Sequence, residues 1–244
     1  MMPRRWRILV WVLTLVAIGG VTLWRMGLHV ELDGSGIVPL FSFYKPQAHY
    51  AALDQSRVEQ QKLAVSAPAP APVEIPAPPT APVAAPPKTT LPVASGFWPA
   101  FRGSARDGRY EETPIRTDWP AKGLPLLWRQ PVGGGYASFA VARGLAFTIE
   151  QRRQNEVVAA YHLDTGREVW TDSWPAAFHE SMGGDGPRAT PTWDDGRLYA
   201  LGATGEFRCL DAQTGRRLWS KNILADNQAE NLTWGMAASP LIVD

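Results

Sequence analysis

One cysteine, Cys209, stands in 244 residues. A lone thiol excludes an intrachain disulfide and a cysteine-built zinc site. Its place in a β-like run reads as a small apolar filler. Charge is also scarce. Asp, Glu, Lys and Arg make up 19%, against about 25% in ordinary soluble domains. The net charge of +1 leaves no electrostatic footprint for nucleic acid. Histidine is thinly spread, and "HESMG" at 179–183 lacks the second His of a metalloprotease helix. "GGGYAS" at 133–138 has no Lys-Ser/Thr after it, so it is no phosphate loop, and "GSG" at 34–36 lacks the third glycine of a dinucleotide loop. After Gly96 no segment shows a helical period.

What is abundant is apolar residues at the N-terminus, then proline, then tryptophan. Residues 8–24 carry no charge and are bracketed by Arg7 and Arg25. Seventeen residues at ~1.5 Å each span about 26 Å, the short end for a membrane helix. Trp6 and Trp24 stand where interfacial aromatics belong, and Arg4, Arg5 and Arg7 outnumber Arg25. The positive-inside bias keeps residues 1–7 in the cytoplasm, places residues 8–25 in the membrane and exports the remainder of the chain. The rival is a cleaved signal peptide with a small-x-small site at Ala17–Gly19. Residues 28–64 read as a juxtamembrane hairpin and then a short helix. Residues 66–94 hold ten Pro, which forbids ladders and helices alike. Residues 65–95 are therefore expected to be a stiff, disordered linker with a reach of up to about 90 Å.

From residue 96 to 244 the chain turns to short β-like runs split by tight-turn signals. "DTGREVW" (164–170) and "QTGRRLW" (213–219) repeat one pattern 49 residues apart, judged by Trp170 and Trp219. Thr165 and Gly166 align with Thr214 and Gly215, and Trp128 ends an earlier, similar strand. A second mark, Gly134, Gly186 and Gly235, opens each unit. A unit thus reads as a Gly-led strand, two middle strands and a Trp strand entered through a Thr-Gly turn. Four antiparallel strands at a period of 42 to 52 residues, measured from Trp to Trp and from Gly to Gly, is a propeller signature. A Trp at one place in each outer strand can pack between blades while its N–H meets a backbone carbonyl.

The copies "AYHLDTGREVW" and "CLDAQTGRRLW" resemble the PQQ-like (pyrroloquinoline-quinone-type) propeller repeat. "FWPAFRGSARDG" (97–108) and "HESMGGDGPRATPTW" (179–193) resemble a membrane-anchored bacterial group within it. The resemblance implies an all-β propeller of four-stranded blades, seven or eight when complete. Residues 96–244 hold about two, so the chain is read as an N-terminal piece. The repeat occurs both in quinoprotein alcohol dehydrogenases and in a non-enzymatic outer-membrane assembly lipoprotein.

The Gly-rich connection 178–190 gathers Glu180, Asp185 and Arg188, beside His179. The carboxylates offer oxygen ligands or a general base, and Arg188 offers a clamp for an anion. Two functions are open to such a chain. The first is a non-catalytic, inner-membrane-anchored periplasmic propeller, a binding or scaffold module with an envelope protein as partner. The alternative is a dehydrogenase using PQQ with calcium. No catalytic residue and no metal set is assigned.

Overall fold

A computed structural model describes residues 3–32, 39–43, 46–66, 96–114, 117–180 and 183–243. The Gly-rich turn at 33–38 and all but the first two residues of the expected linker lie outside the described residues. The chain divides into two compact units, Met1–Ala52 and Leu53–Asp244.

In the first unit α1 (Arg4–Arg25) is followed by the antiparallel strands β1 (Leu28–Leu32) and β2 (Pro39–Phe43). α1 is long and apolar enough to cross a membrane, with a mean hydropathy of 1.9 and none of its residues buried. Its 22 residues reach about 33 Å, against a hydrocarbon core of about 30 Å. α2 (Pro46–Ser66) runs on into the second unit.

The second unit is a β-propeller segment built on two four-stranded antiparallel blades. Blade 1 comprises β3 (Ala140–Ala142), β4 (Leu145–Arg152), β5 (Asn155–His162) and β6 (Glu168–Pro175). Between the blades lie the two-residue strands β7 (His179–Glu180) and β8 (Gly184–Asp185). Blade 2 comprises β9 (Thr192–Asp194), β10 (Arg197–Leu201), β11 (Glu206–Asp211) and β12 (Arg217–Asn222). The one-turn helix α3 (Ile223–Asp226) comes next, and this corrects the expectation of no helix here. Asn222 makes it by accepting the N–H groups of Leu224 and Ala225 at 3.1 and 3.0 Å. The Gly-led strands are also shorter than expected. Pro187 and Pro191 have no N–H to give, so the blade 2 ladder begins only at Thr192.

The two blades share one core. Phe147, Ile149, Val158 and Ala160 of blade 1 meet Leu198, Ala200 and Leu210 of blade 2. Cys209 is buried in β11, and burial pushes its thiol up.

The repeated residues form the joints between repeats. Trp128 Nε1 donates to Leu163 O at 2.8 Å, and Trp170 Nε1 donates to Ala212 O at 3.1 Å. Each indole packs closely against the glycine of the next copy. A Cβ on Gly166 would stand 2.5 Å from Trp128, and one on Gly215 would stand 2.5 Å from Trp170. The Thr-Gly and the Trp of one motif therefore serve two different joints. The aliphatic position has a use as well. The pairing slips opposite Val169 and Leu218, a bulge that aims the following Trp. A second joint lies nearer the inner strands. The N–H of Ser138 donates to Thr190 Oγ1 at 3.0 Å, and the N–H of Thr190 donates to Ser239 Oγ at 2.9 Å. These hydroxyl residues stand four places after Gly134, Gly186 and Gly235 respectively.

Candidate functional site

The connection from β6 to β9, residues 176–191, passes between the blades. Its shape is set by Arg188. The guanidinium donates to the carbonyls of Gly186 (2.5 Å), Gly184 (3.1 Å) and Asp185 (3.2 Å). It also stacks on two rings, Phe178 at 5.0 Å and Tyr136 at 5.1 Å from the centroids. Five donors in a rigid fork suit a cation to this work.

Glu180 is 7% exposed, and its Oε2 accepts the N–H of Gly183 at 2.5 Å. Asp185 stands further out, with Oδ1 2.7 Å from Nδ1 of His179. The His179 side chain is 72% exposed and that of Asp185 38%, so this pair faces solvent. The root of the loop is fixed by Gln151, whose Oε1 accepts the N–H of Phe178 at 2.7 Å.

The structure thus brings Glu180, Asp185 and Arg188 into one loop, with distinct surroundings for each. Tyr136, Phe178 and Gln151 complete the arrangement, and none of them stands out in the sequence by chemistry. Register would have found one of them. Tyr136 and Arg188 both stand two places after the repeat glycine, so adjacent repeats set them side by side.

A neighbouring acid has a different setting. Glu156 is fully buried, with Oε1 accepting the N–H of Ala203 at 2.8 Å across the blade junction. Among the described residues its Oε2 and the Nε1 of Trp174 make no hydrogen bond of full geometry, although the indole is near enough to favour the carboxylate. Desolvation raises the Glu156 pKa, and the Ala203 N–H offsets part of that rise.

The order of strands, the Trp-on-glycine joints and the repeat period all describe one kind of propeller. A family profile described as "Outer membrane protein assembly factor BamB" matches residues 121–243. The chain belongs to this PQQ-repeat family. No curated protein matches it.

Among solved structures, it is similar to a quinohemoprotein alcohol dehydrogenase from Pseudomonas putida HK5. The identity is 21% over 46% of this chain and 16% of that one, with a TM-score of 0.34. A quinohemoprotein alcohol dehydrogenase from Comamonas testosteroni is 21% identical over 38% of this chain and 14% of its own, with a TM-score of 0.29. BamB from Moraxella catarrhalis is 19% identical over 46% of this chain and 41% of its own, with a TM-score of 0.21. The chain therefore spans well under half the length of each. At these values no function passes from those proteins to this one.

A calcium-bound quinone is the group that the resemblance implies for a loop of this kind. Such a group needs several free oxygen donors around the metal and a flat, open cradle. Glu180 is occupied by a backbone N–H, and Arg188 is committed to three carbonyls and two rings. Among the described residues no three His, Cys, Asp or Glu come together as a metal-holding group. The described residues of this loop do not fit the group.

Proposed function

We propose that this is a membrane-anchored binding or scaffold propeller, with α1 in the inner membrane, the N-terminus in the cytoplasm and the blades in the periplasm. The exposed surface of the 176–191 connection recognises a protein of the cell envelope. Asp185 and His179 make the contact, while Arg188 and Glu180 hold the loop in the shape that presents them. The observation that supports this most is the Arg188 arrangement. A guanidinium spread over three carbonyls and two rings orders a solvent-facing loop, and an ordered loop binds without first losing its conformational entropy. Loops fixed on a rigid scaffold are where binding residues concentrate.

The test is photocrosslinking in the full-length, membrane-embedded protein. A photoreactive residue replaces His179, with Lys122, exposed elsewhere, as the control site. The expected result is a discrete adduct from position 179 that disappears in Arg188→Ala at equal protein level. No adduct, or one indifferent to Arg188→Ala, overturns the reading.

A further inference from the structure

A Pro-rich tract of this length is expected to space the propeller from the membrane. Its two ends belong to the same compact unit, which is not how a spacer between units is built. On the far side, Trp98 and Val141 exchange backbone hydrogen bonds at 2.8 and 2.7 Å, and Pro99 O accepts the N–H of Trp193 at 2.7 Å. On the near side, α2 is seated on blade 1 from Leu53 onward.

That seat is made by one helical face, Leu53, Ser56, Arg57 and Gln60, at the spacing i, i+3, i+4, i+7. Leu53 is 2% exposed. Arg57 enters a cluster of Glu150, Arg152, Tyr161 and Glu168. It forms an ion pair with Glu168, and its Nη2 lies 3.4 Å from Glu150 Oε1 and 3.0 Å from the Tyr161 hydroxyl. Arg152 bonds the same two carboxylates, so two cations balance two anions. Burial, with Glu150 close by, holds the Tyr161 phenol protonated by raising its pKa.

Gln60 does a different job. Its Oε1 accepts the N–H of Glu168 at 2.9 Å, and its Nε2 donates to Gln130 at 2.7 Å. Glu168 opens β6, the outer edge strand of blade 1, where an unanswered N–H would invite another chain. Asp54 meets Arg153 at 2.5 Å at the rim.

We propose that residues 53–60 of α2 are a latch on the flank of blade 1 that withdraws residues 53–95 from the membrane tether. Latched, the chain between α1 and the propeller unit is residues 26–52. Released, it is residues 26–95, a tether longer by residues 53–95. Among the described residues, Asp54, Ser56, Arg57 and Gln60 hold the latch by ion pairs and hydrogen bonds, so a change of charge opens it while the apolar core between the blades stays shut. The inference rests on α1 as a membrane span.

The test uses the full chain in vesicles of phosphatidylethanolamine and phosphatidylglycerol. A donor dye is attached through a bio-orthogonal residue at Gln213, an exposed position, and the acceptor is a headgroup-labelled lipid. Arg57→Glu/Gln60→Ala is the release variant. Asp54→Cys/Arg153→Cys, bridged by a short bismaleimide, is the lock. Wild type and lock are expected to give equal energy transfer. The release variant is expected to lose most of it, and the lock in that background to restore it. Transfer unchanged on release, or higher in the lock than in wild type, overturns the latch. Protein that does not float with the vesicles overturns the membrane reading and the latch with it, whereas floating protein with unchanged transfer overturns the latch alone. Amide exchange at Glu168 gives a readout that needs no double variant. It is expected to speed up by about tenfold or more in Gln60→Ala, and an unchanged rate contradicts the latch.

Discussion

Gly215 and Gly144 have nearly the same backbone, with φ of +73 and +76, and very different neighbours. A methyl group on Gly144 meets nothing within 4 Å, whereas one on Gly215 falls 2.5 Å from Cδ2 and 2.6 Å from Cε3 of Trp170. Gly144→Ala should therefore cost only the left-handed strain of an L-residue, about 1–2 kcal/mol. Gly215→Ala carries the same strain and also drives the indole off its seat. Carbon atoms settle ~3.5–4.0 Å apart, so the ring moves by about 1 Å. That overpacking costs about 1–3 kcal/mol, and weakening the bond to Ala212 O adds about 0.5–1.5 kcal/mol. The excess over Gly144→Ala is then about 2–4 kcal/mol. Urea unfolding of the full chain in detergent, followed by fluorescence, reads both variants. The cycle with Trp170→Ala is sharper. Without the indole, Gly215→Ala should cost no more than Gly144→Ala, while Trp170→Ala alone costs about 3–5 kcal/mol. Equal costs for the two glycine variants, or strict additivity in the cycle, would refute the Trp-on-glycine joint.

The remaining predictions concern the junctions and the loop. The folded-state pKa of Glu156 is raised by burial. Its stabilising protonated form is thus complete below the unfolded pKa of about 4.3, and stability is lost as pH rises through the higher folded value. Glu156→Gln keeps the acceptor for Ala203, so the unfolding free energy of that variant should vary less with pH than that of wild type. Thr190→Val strips the acceptor from the Ser138 N–H and should cost about 1–3 kcal/mol, with Thr190→Ser close to wild type by thermal melting. Arg188→Ala should speed amide exchange across the described residues of 179–186 by about tenfold or more, equivalent to ~1.4 kcal/mol of local stability. Exchange as slow as in wild type would show that Arg188 does not order the loop.

The fold was legible because propeller joints are written locally. A glycine and a tryptophan at a fixed short spacing recur, and the period alone separates a propeller from a sandwich. Their pairing was not legible, since Gly215 answers Trp170 of the previous copy and not Trp219 of its own. Glu180, Asp185 and Arg188 were legible as a group because one short loop holds them. The use of Arg188 was not, because backbone carbonyls have no signature in sequence. The α2 latch was hidden for a related reason. Arg57, Gln60 and Ser56 look like the solvated face of a polar helix until Glu150 and Glu168, about a hundred residues on, are brought beside them.

We propose that this propeller is a binding module, against the alternative of a quinone-dependent dehydrogenase. The most direct measurement incubates the full-length protein with PQQ and calcium, removes free quinone, and follows dye reduction with a panel of alcohols and sugars. The account expects no quinone retained in proportion to protein and no substrate-dependent reduction. One quinone per chain, with alcohol-dependent dye reduction, would contradict it.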